Sequence, residues 1–171
     1  LGGSPGGKVE AEVVRFESLE ALEKATPGSL AGKIAFIDYR MTRAKDGRGY
    51  GPGSRVRTGG PSAAIRAGAI AYVMRSAGTD SHRNPHTGIT RFEEGLTPIP
   101  SAALSLPDAD QLARLVALGP VKIALDLDCD WDGEYTSQNV IGEITGRSKP
   151  DEVVVIGGHL DSWDLGTGAI D

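Results

Sequence analysis

Apolar residues recur along this chain in two rhythms, and these divide it into strands and helices. Residues 9–16 alternate well enough to predict a strand. Ser18 then caps a short helix on which Leu19, Leu22 and Ala25 share a face, and Pro27-Gly28 stops it. The run KIAFIDY at 33–39 has the character of a buried strand. From Pro61 a second helix is predicted, with Ala63, Ala64, Ala67 and Gly68 small enough to sit close on a sheet, leading into a strand at 70–74. Residues 99–106 predict a short strand and 107–118 an amphipathic helix, with Ala109, Leu112, Leu115 and Val116 on one face. Residues 121–128 predict a further strand. Two polar stretches, 40–60 and 77–98, are expected as long loops, and the Gly-rich residues 1–8 as a linker.

Past residue 135 the rhythm changes. Two strands are predicted close together, at 139–145 and 153–157, and a polar, Gly-rich loop follows. A boundary is therefore expected at about 128–136. It separates an α/β domain, residues 9–130, in which strands alternate with three helices, from a second unit, residues 135–171.

Composition narrows the class. Of 171 residues, 39% are hydrophobic and 24% charged, the balance of a globular chain and not of a disordered one. Aromatic residues are only 5%, so Val, Ile, Leu and Ala must build the core. The net charge of −5 argues against non-specific binding to nucleic acid. No run is apolar and long enough to span a membrane. Cys129 is the only cysteine, which excludes an internal disulfide. The chain does not begin with Met, and both ends look cut, so it reads as a piece of a longer protein whose targeting signals are not represented.

The candidate chemistry lies near the end of the chain. The apolar strand at 153–157 delivers His159 and Asp161 just past its carboxyl end, where open α/β sheets place ligand sites, and Asp171 follows. An imidazole and carboxylates suit zinc, and two metals sharing a carboxylate can clamp a water between them. A carboxylate two residues from a ligand His can instead hold the tautomer of that ring. The bland alternative is a polar loop with His159 on its surface, since H-x-D spacing recurs by chance.

The wider segment, NVIGEITG with VVVIGGHLDSWDLGTGAID, resembles the co-catalytic zinc exopeptidases, which include bacterial leucine aminopeptidases and glutamate carboxypeptidases. The likeness is strongest to the carboxypeptidase Q (plasma glutamate carboxypeptidase) group, and reaches upstream through LGGS, GKI at 32–34, NPHTGI at 84–89 and the Ile99-Pro100 pair. The resemblance implies that His159 is a terminal zinc ligand, Asp161 the catalytic-site carboxylate that orients it, and Asp171 the bridge between two zinc ions. It implies a swivelling β/β/α protease-associated domain over residues 9–130, followed by the first strands of an incomplete α/β zinc-peptidase domain. Small peptide substrates, a homodimeric parent and secretion or periplasmic export are implied by the same likeness. The Glu that serves the family as general base, and its remaining ligands, have no counterpart before Asp171, so the 171 residues alone are expected to be inactive and metal-poor. A reading from another class, a non-catalytic lid or interaction module, stays open beside the enzyme.

Other features are weaker. Arg40, Arg43, Lys45, Arg48, Arg55 and Arg57 stand against Asp46 alone, a cluster that could hold a substrate carboxylate or an acidic partner, or be a solvated loop. His86 in PHTGI is a candidate for the wall of a substrate cleft, or merely part of a turn held by Pro85 and Thr87. Trp131 and Trp163 are expected to pack. The GRGYGPG run lacks phosphate-loop spacing, and DLGTG at 164–168 follows HLDSW and not the apolar strand that the D-x-G-T-G motif of S-adenosylmethionine-dependent methyltransferases requires.

Overall fold

The computed structural model describes residues 1–130 and 133–162 and divides into two units, Leu1–Trp131 and Asp132–Asp171. In the first unit the elements run β1 (Gly7–Phe16), α1 (Leu19–Glu23), β2 (Ile34–Ile37), α2 (Tyr50–Arg66), β3 (Ala71–Arg75), β4 (Ser101–Leu104), α3 (Leu106–Leu118) and β5 (Lys122–Leu127). The strands form one five-stranded sheet in the order β4-β3-β2-β1-β5. β1 changes partner along its length: Gly7 to Glu12 pair antiparallel with β5, and Val13 to Phe16 pair parallel with β2. β2, β3 and β4 continue the parallel part.

Alternation along the central strands decides what each face touches. Ala35, Ile37, Tyr72 and Met74 enter one core with Leu19 and Leu22 of α1 and Val56, Ala63 and Ala64 of α2. Ile34, Phe36, Ala71 and Val73 enter the other, with Ala109, Leu112 and Ala113 of α3. Helices thus cover both faces of the parallel strands, which is why IAFI and AYVM are apolar at every position. The layering is α/β/α around these strands and departs from the expected β/β/α.

Local chemistry sets the helix ends. Ser18 Oγ accepts from the Ala21 amide at 3.1 Å, capping α1, and Ser105 does the same for the Asp108 amide at the start of α3. The largest departure concerns α2, which begins at Tyr50, whereas residues 40–60 were expected to be loop. Its glycines read as breakers but serve contact: Gly53 and Gly60 are buried, and a methyl group at Gly60 would collide with the Tyr72 phenol. Tertiary packing outweighs the roughly 1 kcal/mol that each helical glycine costs against alanine.

Residues 1–8 are not a linker. The Leu1 ammonium donates to Ser101 O at 3.0 Å, the Ser101 amide donates to buried Ser4 Oγ at 2.8 Å, and Gly2 bridges Ile89. β1 itself begins at Gly7.

In the second unit, residues 133–162 contain no helix or strand, so the strands expected at 139–145 and 153–157 are not formed there. Val140, Ile144 and Ile156 are 84%, 99% and 93% exposed. A strand apolar at every position needs ladder partners and cover on both faces, and neither is present among these residues. The turn between them is held by Lys149, which pairs with Glu152 at 2.8 Å.

Candidate functional site

The segment after residue 157 turns back on itself through one side chain. His159 Nδ1 lies 2.6 Å from the backbone oxygen of Asp161 and 3.0 Å from its Oδ1. With the proton on Nδ1 the ring donates to both oxygens, which selects that tautomer. The pair is exposed, and Asp161 sits beside His159 as a supporting carboxylate would. Asp171 and Trp163 lie outside the described residues, as do the DLGTG motif and Trp131. Among the described residues no group of three or more His, Cys, Asp or Glu side chains is placed to hold a metal ion. One imidazole with its carboxylate suits a single zinc ligand position; a closed site needs three or four protein ligands.

His86 belongs to the first unit, in a strap that α2 and the N-terminal residues pin down. Tyr50 Oη and His86 Nε2 are 2.9 Å apart, with the rings edge-on at 73° and 5.6 Å between centroids. Arg57 Nη1 donates to Thr87 O at 2.9 Å, and the Thr90 amide donates to Gly2 O at 2.7 Å. The other loop histidine, His82, sits 3.4 Å from Asp80.

The basic cluster is dispersed by the fold. Arg55 and Arg57 lie within α2, Arg48 pairs with Asp46 at 2.8 Å, and Arg40 reaches Asp110 of α3 at 2.7 Å. That last contact joins a network that sequence reasoning missed. Asp38, directly after β2, has a fully buried carboxylate that takes Arg75 at 2.6 Å and Arg15 at 2.7 Å. Arg75 also reaches Asp110 at 2.8 Å and donates to Leu106 O at 3.2 Å. Burial alone would raise the Asp110 pKa, but hydrogen bonds from Arg75 and Arg40 hold its carboxyl below the usual carboxylate range. The legible signal was a charge at the carboxyl end of each of two apolar runs, Asp38 after IAFI and Arg75 ending AYVMR. The parallel register, with Ile37 opposite Met74, sets the next residues side by side.

The sequence matches Peptidase family M28 over residues 139–171. Mouse (Mus musculus) carboxypeptidase Q is 34% identical over 170 residues, which cover 99% of this chain and 35% of the mouse protein. Xenopus laevis carboxypeptidase Q is 35% identical over 175 residues, covering 100% of this chain and 36% of its own length. In three dimensions the chain is similar to a peptidase M28 precursor from Shewanella amazonensis, with a TM-score of 0.90, 50% identity, and coverage of 98% of this chain against 38% of that one. The chain thus spans about a third of the length of the curated relatives it matches. Residues 139–171, which hold the apolar run, His159 and Asp161, thus match peptidase family M28, and the chain along its whole length is similar to part of carboxypeptidase Q.

Proposed function

We propose that the chain serves in a zinc-dependent exopeptidase that hydrolyses terminal peptide bonds of small peptides. The observation that carries this reading is the pairing of His159 with Asp161 inside the segment matched to Peptidase family M28. His159 takes the role of a zinc ligand, through the nitrogen opposite the one that faces Asp161. Asp161 would hold the ring in the tautomer that such binding requires, and Asp171 would be the carboxylate that the two ions share. Zinc in such a site polarises the scissile carbonyl and lowers the pKa of a bound water toward neutrality.

The first unit takes the role of a protease-associated domain, with His86 facing substrate, and the whole enzyme acts outside the cytoplasm as a homodimer. The 171 residues by themselves are inactive, because one imidazole and two carboxylates hold two zinc ions poorly and supply no base for the attacking water.

An aminoacyl-anilide and a panel of dipeptides test this on a full-length protein containing the chain and on the 171 residues alone. The full-length protein is expected to hydrolyse short peptides, to lose activity to a chelator and to regain it with zinc. A folded, zinc-loaded full-length protein with no hydrolysis would favour the lid or interaction-module reading. Robust hydrolysis by the 171 residues would overturn their assigned inactivity.

A further inference from the structure

We propose that the cavity beyond the carboxyl ends of β2 and β3 is a binding site for a small organic monocarboxylate with a compact apolar body. The cavity, about 730 Å3, lies wholly within the first unit, between the segment after β2 and the start of α3. Its volume is that of small-molecule sites, and it occupies the end of a parallel sheet where such sites form.

The charges on its wall set the ligand's charge. Arg40, Arg43 and Arg75 face Asp80 and Asp110. Asp110 is shared by Arg40 and Arg75, and Asp80 by the amide and ring of His82. Buried Asp38 behind Arg75 is balanced by Arg15. Arg43 is exposed and has neither an ion pair nor a hydrogen bond among the described residues. The lining therefore carries one cation in excess, which suits a single negative charge. A phosphate, with more charge, would meet the two carboxylates of the same wall. Arg43 offers a planar fork matched to a carboxylate, whereas Arg75 is held by its own partners, Asp38, Asp110 and Leu106 O. Met41, Leu106 and Pro107 give the rest of the wall apolar surface, and Thr79 and Ser81 add only neutral hydroxyls, so the body of the ligand is uncharged and mainly apolar.

The test titrates the whole chain with N-acetyl-leucine, followed by amide NMR shifts and calorimetry, with N-acetyl-leucinamide and inorganic phosphate as controls. The carboxylate is expected to give saturable shifts confined to residues 40–43, 78–81 and 106–110, and its affinity to fall as salt rises. Arg43→Gln, a substitution at an exposed and unpaired side chain, should weaken binding roughly tenfold with an unchanged circular dichroism spectrum. Equal binding of the amide, tighter binding of phosphate, unaltered affinity in the Arg43 variant, or no saturable shift would each overturn the proposal. Neither metal nor hydrolysis enters the measurement, so its outcome is independent of the peptidase reading.

Discussion

The Thr90 hydroxyl donates to the carbonyl oxygen of Arg57 at 2.7 Å, the acceptor left without its helical N–H because Pro61 stands four residues on. A proline inside α2 thereby becomes an attachment point for the strap that carries His86. Three further contacts, from Arg57 to Thr87, Tyr50 to His86 and Gly2 to Ile89, secure the same strap.

Replacing Thr90 with Val keeps the shape and removes the donor. The partly buried Arg57 carbonyl then loses the hydroxyl as its partner, and the expected loss is about 1 kcal/mol. In a Pro61→Ala background the helix supplies an N–H, and the same Thr90→Val change should cost markedly less. Urea unfolding of the four proteins of this cycle measures the coupling; equal costs in both backgrounds would refute the relationship.

Tyr72 links β3 to α2. Its hydroxyl donates to Val56 O at 2.9 Å, and burial pushes its pKa well above the ordinary value. Unfolding frees the phenol to ionise near pH 10, whereas the folded state keeps it neutral. This contribution to stability is complete below about pH 10 and is lost as pH rises further. Tyr72→Phe should therefore cost about 1 kcal/mol at neutral pH and reduce the loss of stability in alkali. Unfolding midpoints measured from pH 7 to 11 decide it.

Asp38→Asn leaves buried Arg75 and half-buried Arg15 without their shared carboxylate. Breaking a buried pair on one side costs about 3–5 kcal/mol. Replacing both Asp38 and Arg75 with apolar residues of similar volume should recover much of that loss, because no buried charge is then stranded. Thermal unfolding of the single and double variants would show it, and a single-variant loss below about 1 kcal/mol would mean that water screens the pair.

For the peptidase reading the informative change is Asp161→Asn in the full-length protein. An amide can still accept from Nδ1–H but carries no charge to strengthen the imidazole as a ligand, so zinc affinity should fall about 10–100-fold. His159→Ala should lower it further. Competition with a chromophoric chelator measures both, and an Asp161 variant that binds zinc as tightly as wild type would remove Asp161 from its assigned place.

Periodicity by itself marked β2, β3 and α3, because strands covered on both faces are apolar throughout and a surface helix shows its stripe. The Ser18 cap was equally local, since a hydroxyl three residues before a free amide needs nothing distant. The motif around His159 and Asp161 carried the family likeness for a similar reason: its residues sit close in sequence.

Tertiary structure decided what lies between distant residues. Whether GRGYGPGSRVRTGGP is loop or helix depended on the Tyr72 hydroxyl, the Gly60 contact and the core beneath Val56, none of them visible in local propensity. Whether residues 1–8 hang free or are woven in depended on Ser101 and Ile89, about a hundred residues away in sequence. Asp38 and Arg75 each read as a charge ending an apolar run, and only the parallel register of β2 with β3 made them partners. Sequence by itself determined the elements that local periodicity encodes, such as β2, β3 and α3, and the terminal motif that carries the family likeness. The fold decided the pairings, because a buried charge, a helical glycine or an orphaned carbonyl has a stable place only when a distant segment supplies its partner.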